Sequence, residues 1–100
     1  MTTLTTITVR SNTSIDFFGA SNTIGEQFKD LVTTYISANN LVSTRTVSED
    51  ELTATTLRTF PNSAIYTQFT SEDSVKQFFS DRDAYNVNNS ITVTETTTED

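Results

Sequence analysis

Residues 60–85 read FPNSAIYTQFTSEDSVKQFFSDRDAY, and the fold turns on how this stretch is read. It holds the only proline and six of the ten aromatic rings, so the core should close here. Pro61 fixes its own φ and biases Phe60 toward an extended conformation, which ends a strand at Phe60. Asn62 or Ser63 can then cap a short helical segment through a side-chain oxygen, with Ala64, Ile65 and Phe69 on its inner side. The same residues, 62–69, can also be read as a strand, and the sequence leaves that alternative open. Thr70 and Asp73 have capping-box spacing, with Asp in place of Glu or Gln. Glu72 and Asp73 put negative charge where a helix dipole favours it. Val75, Phe78, Phe79, Arg82 and Tyr85 follow at three- and four-residue steps, which predicts a helix with one buried stripe.

Outward from this stretch, the other elements alternate. Residues 3–10 read as a strand, with Thr5, Ile7 and Val9 on one face and Thr6, Thr8 and Arg10 on the other. Residues 11–21 form a polar loop interrupted by Ile15, Phe17 and Phe18. Two adjacent phenylalanines in a loop need cover, either at the end of the core or on a second subunit. Thr23 and Glu26 have capping-box spacing. Ile24, Phe28, Leu31, Val32, Tyr35 and Ile36 then keep helical periodicity until Asn39 and Asn40, which suit a helix C-terminus. Residues 41–47 and 52–60 read as two strands joined by the polar turn 48–51, and so as an antiparallel hairpin. Leu52, Ala54, Thr56 and Phe60 share one face of the second. Residues 86–90 break the last helix, and residues 91–95 form a fourth strand with Ile91 and Val93 inward.

The expected order is therefore β-α-β-β-α-β, an α+β ferredoxin-like domain over residues 1–95 whose antiparallel sheet carries both helices on one face. Residues 96–100 are expected to fray as an acidic tail. The other sheet face is left bare, and a second copy of the chain would cover it.

Composition narrows the chemistry. Threonine makes up about a fifth of the chain, and its β-branch and methyl suit pleated sheet. The formal net charge is −7, from 13 acidic and 6 scattered basic residues. That balance argues against nucleic acid and against anionic membrane surfaces. There is no Cys, His or Trp, which excludes disulfides, thiolate zinc sites, histidine-based nucleophile activation and histidine-ligated haem. No signal-peptide pattern opens the chain, and no apolar run approaches the ~20 residues a membrane helix needs. A cytoplasmic protein is expected.

Few residues stand out as a site. Arg45 and Arg58 fall on neighbouring strands and can grip a carboxylate bidentately; the alternative is that each pairs with a Glu or Thr across the sheet. Tyr35, Tyr66 and Tyr85 can line a cavity between helices and sheet, or simply be satisfied core residues. Glu49, Asp50 and Glu51 fit no calcium loop and read as a solvated turn. No catalytic residue, metal-ligand set or cofactor motif is assigned.

The strand ending in Arg58-Thr59-Phe60, the following Pro61-Asn62-Ser63-Ala64, then Tyr66, Phe69 and Arg82-Asp83-Ala84-Tyr85-Asn86, resemble the second half of a dimeric α+β barrel of the antibiotic-biosynthesis-monooxygenase type. The resemblance covers less than half of the chain. It implies a ferredoxin-like protomer that dimerises sheet to sheet. It does not carry the activity across, because the Trp and His that active members place around the cavity are missing here. Three readings follow: a homodimer holding a small apolar ligand, a cofactor-independent monooxygenase-like enzyme, or a phage-type accessory protein. Binding is expected ahead of catalysis.

Overall fold

The computed structural model describes residues 1–19 and 22–100. β1 (Thr2–Val9), β2 (Val42–Val47), β3 (Thr53–Phe60) and β4 (Thr92–Glu99) form one antiparallel sheet in the order β2-β3-β1-β4. α1 (Thr23–Ser37), α2 (Ser63–Ser71) and α3 (Asp73–Asn88) complete the chain. This is the expected ferredoxin-like arrangement, with its second helix in two pieces. The last two residues of the polar loop, 20 and 21, lie outside the described residues.

Capping explains most of the helix boundaries. Asn62 caps α2 as expected, its Oδ1 accepting from the Ile65 N–H at 2.9 Å, so residues 63–69 are helix and not strand. α1 begins at Thr23, but its cap differs from the sequence reading. Its N-cap is Asn22, whose Oδ1 accepts from the Gly25 N–H at 2.9 Å, and Thr23 is already helical. The Thr70–Asp73 capping box does not form either. α2 runs on through Ser71, and the Thr70 hydroxyl donates back to the Tyr66 carbonyl at 3.0 Å. Glu72 alone, in extended conformation (φ −65°, ψ 135°), separates α2 from α3. Asn39, at φ 60°, turns the chain after α1.

Two further boundaries move. α3 continues through Asn88, so Asn86 lies within the helix, and Ser90 at φ 56° makes the turn. β4 does not stop at residue 95. It pairs with the whole of β1, from Val9↔Thr92 to Thr2↔Glu99. The first residues of β1 need a partner on this side, and residues 96–99 supply it. The Thr2 hydroxyl donates to Glu99 Oε1 at 3.1 Å, and the Asp100 N–H reaches the Met1 carbonyl at 2.9 Å.

Strand alternation sorts the side chains. Thr2, Leu4 and Thr6 of β1, Ala54 and Phe60 of β3, and Ile91 are buried on the helix side. The core is aromatic. Phe69 is fully buried, with its ring centroid 5.1 Å from Tyr35, 5.3 Å from Phe60 and 6.1 Å from Phe28. Phe28 stacks on Phe78 at 3.9 Å, so the core is continuous from α2 across α1 to α3.

Phe69→Ala should lower stability by about 3–5 kcal/mol, read as a fall in the urea midpoint. Val87→Ala, at a position 78% exposed, should shift it by no more than ~0.5 kcal/mol. Equal effects at the two positions would mean that the aromatic cluster is not the core.

Candidate functional site

The aromatic cluster fills one end of the space between helices and sheet. At the other end lies a cavity of about 220 Å³. Its floor is the inner face of the sheet, with Thr6 and Thr8 from β1, Thr56 and Arg58 from β3, and Arg45 from β2. Phe78, Arg82 and Asn86 of α3 form one wall, and Phe17 and Phe18 of the loop form another.

The loop is held in place by two polar anchors. Arg10 donates to the Ile15 carbonyl at 2.9 Å and to the Glu51 carbonyl at 2.8 Å, with its guanidinium 4.1 Å from the Phe17 ring centre. The Tyr85 hydroxyl donates to the Asp16 carbonyl at 2.6 Å. Phe18 packs on Phe78 and Tyr85. The two loop phenylalanines therefore close the end of the chain's own interior.

Three arginines meet here in a chain of net charge −7. Arg82 is neutralised: it contacts Glu95 at 2.5 Å and Asp83 at 3.0 Å. Arg58 is different. It has no carboxylate partner among the described residues, and its Nε is buried without a hydrogen bond. Burial, and then the like charge of Arg82, lower its pKa, with Glu95 opposing. Arg45 also lacks an ion pair among the described residues, and its guanidinium lies 5.5 Å from the Phe17 ring centre. Register places the two on the same face of adjacent strands, Arg45 opposite Thr56 and Arg58 opposite Ser43. Thr6 Oγ1 and both amide atoms of Asn86 are buried with no protein partner.

Of the five residues expected at a site, Arg45 and Arg58 line this cavity and the tyrosines do not. Tyr35 is in the aromatic core. Tyr66 packs on Phe60, with its hydroxyl 3.4 Å from that of Thr97. Tyr85 anchors the loop from outside. With two unpaired arginines, the lining argues against a purely apolar occupant. Asn86 and Thr6 were missed. By sequence Asn86 has the character of a helix breaker, and Thr6 is one more sheet threonine. Asp50 accepts from the Ser48 hydroxyl at 2.6 Å and the Leu52 N–H at 3.0 Å, which lowers its pKa and makes 48–52 a self-contained turn.

By sequence the chain matches no family model and no curated protein. Solved structures do match its fold. One is a conserved protein of unknown function from Bacteroides thetaiotaomicron, described as a possible oxidoreductase. It has a TM-score of 0.61 at 11% identity, over 99% of this chain and 97% of that one. Another is an antibiotic biosynthesis monooxygenase, with a TM-score of 0.54 at 12% identity over 96% of each chain. A third, from Deinococcus radiodurans and provisionally given the same description, has a TM-score of 0.54 at 8% identity, over 98% and 91%. The chain has the fold of antibiotic-biosynthesis-monooxygenase-like proteins. At these identities the likeness is one of fold alone. Among the described residues no helix is long and apolar enough to cross a membrane.

Tyr35 offers a test of the interior. Its hydroxyl is buried with no hydrogen bond of ordinary length and angle; burial, then the negative charge of Glu72 and a longer polar contact with its carboxylate, raise its pKa. The unfolded chain releases this proton near pH ~10 and the folded chain only higher. Stability is therefore held below that pH and lost as pH rises through the folded value. Tyr35→Phe should leave stability at neutral pH unchanged or raise it by up to ~1 kcal/mol. It should also make the alkaline decline shallower than in the parent. A loss of stability at neutral pH in urea titrations would show that the hydroxyl is paired.

Proposed function

We propose that this chain acts as a homodimer joined sheet to sheet, each protomer holding a small ligand in the cavity on the opposite side of its sheet. The outer face of the sheet carries the first half of this reading. Register places eleven threonines there with Ile7, Val9, Val42 and Leu57, and no charged residue. The aliphatic residues are 37–63% exposed. Where one sheet face meets water, polar and charged residues normally occupy it. Two acidic copies repel wherever their charges meet, and this face is where they can approach without that cost. A second copy also presents the same uncharged, β-branched surface, as a two-fold interface requires.

The cavity supports the ligand half. Its lining has two cations without counter-charges and several buried polar atoms without partners. It also lacks a side chain that ionises near neutral pH. Proton transfer to or from a substrate calls for such a group, so the lining supports binding ahead of catalysis. The net charge of −7 supports partners other than nucleic acid.

Light scattering should give a mass about twice the 11.1 kDa of the chain, constant over a range of concentrations. The double variant Ile7→Lys, Leu57→Lys puts four like charges into the interface of a dimer and should run as a folded monomer. A parent monomer at all concentrations would rule out the dimer. A dimer that persists in the folded double variant would place the interface elsewhere.

A further inference from the structure

We infer that the cavity is built to take a small aromatic carboxylate in its ionised form, with Arg58 as its principal cation and Asn86 as the amide that orients it. This rests on reading the cavity as a ligand site, and not on the dimer.

The charge comes first. A guanidinium on the inner face of a sheet is ordinarily matched by a carboxylate. Arg82, on the facing helix, is matched by Glu95 and Asp83. Arg58 is matched by none among the described residues, although the chain has more than twice as many acidic as basic side chains. Arg58 is half-buried, and its Nε is buried without a partner, which is costly to the folded state. A ligand carboxylate would supply the missing charge, and its planar pair of oxygens suits the guanidinium fork.

The polar atoms around it fit the same group. Asn86 is 2% exposed and Thr6 5% exposed; both line the cavity, and neither side chain has a protein partner. Arg58 Nε, Asn86 Nδ2 and the Thr6 hydroxyl are donors. Donors thus outnumber the one dedicated acceptor, Asn86 Oδ1, so the site as a whole asks for an acceptor-rich anion. Arg45, exposed at the cavity rim, adds a second cation.

The rest of the lining sets the body of the ligand. Phe17, Phe18 and Phe78 give aromatic walls, and edge or offset contact between rings is favourable. The volume of about 220 Å³ falls below the ~300–1,000 Å³ of pockets for drug-sized molecules. It holds one ring with one acidic group.

The test titrates the full chain with sodium benzoate and, separately, with benzamide, at fixed ionic strength, following backbone amides by two-dimensional NMR. Benzoate should shift amides around Arg58 and Asn86, and benzamide, of the same shape without the charge, should bind at least about tenfold more weakly. Arg58→Met should weaken benzoate by at least about tenfold, Arg45→Met should weaken it less, and Lys76→Met, an exposed cation elsewhere, should leave it unchanged. Asn86→Asp places a carboxylate inside the site and should abolish benzoate binding. This variant carries the test if Arg58→Met does not fold. Equal binding of benzamide and benzoate, or full benzoate affinity in folded Asn86→Asp, would overturn the anion assignment and leave a ligand site. If neither probe moved these amides, both the assignment and the ligand reading of the cavity would fall.

Discussion

Alternation along β3 ties the interior together. Phe60 must be buried, because it is where the sheet meets α2 and where the aromatic core closes. Once Phe60 points toward the helices, so do Arg58, Thr56 and Ala54, since a strand repeats every two residues. The chain cannot bury the phenylalanine and also turn the arginine to water. A one-residue slip would exchange the two faces along the whole strand. The pairing of β3 with β1 and β2 is continuous over its length, so no bulge relieves this constraint.

The interior then divides in two. Near Phe60, the rings of α1 and α2 fill the space. Toward the other end of β3, Thr56, Arg58 and Arg45 face the helices, where a guanidinium cannot pack as a phenylalanine does. α3 contributes to both ends. Val75 packs in the aromatic core, whereas Arg82 and Asn86 face the cavity. Aromatic faces soften the transition: the Arg58 guanidinium lies 5.5 Å from the Phe28 ring centre and 5.8 Å from that of Phe79. Such contacts attract a cation without neutralising it. They help keep Arg58 inside while leaving its charge available.

Periodicity made the scaffold legible in the sequence. Pro61 and Asn62 fixed the end of β3 and the start of α2, and the Val75–Phe78–Phe79–Arg82 spacing fixed the buried side of α3. Capping boxes were less informative than they looked. Thr23–Glu26 and Thr70–Asp73 both have the right spacing, yet Asn22 caps α1 and α2 runs past Thr70. A cap depends on where the preceding segment leaves the chain, and spacing alone does not carry that. Residues 96–99 read as a tail because acidic, threonine-rich ends often fray; pairing with β1 is a long-range contact that no local pattern reveals. In the candidate site, the sequence shows Arg45 and Arg58 on neighbouring strands. Asn86 was not, since asparagine commonly breaks helices and only the tertiary fold shows it inside one. The tyrosines pointed elsewhere because an aromatic ring on a buried stripe goes to the core unless a polar neighbour draws it to a cavity edge.

The two faces of the sheet divide the remaining work. Leu57 and Arg58 are adjacent in sequence, yet one faces the uncharged outer surface and the other the charged interior. The same holds across the sheet: Thr44 and Arg45 on β2, Ile7 and Thr6 on β1, Thr94 and Glu95 on β4. Every strand contributes a neutral residue outside and a polar or charged one inside. The outer face departs from the usual one-sided sheet, whose solvated face is charged, while the inner face mixes Leu4, Ala54, Phe60 and Val93 with Arg58 and Glu95. A second copy would turn the outer threonine methyls and four aliphatic side chains into a second core. The arginines would stay on the far side of the sheet from it, free to meet an anion in each protomer.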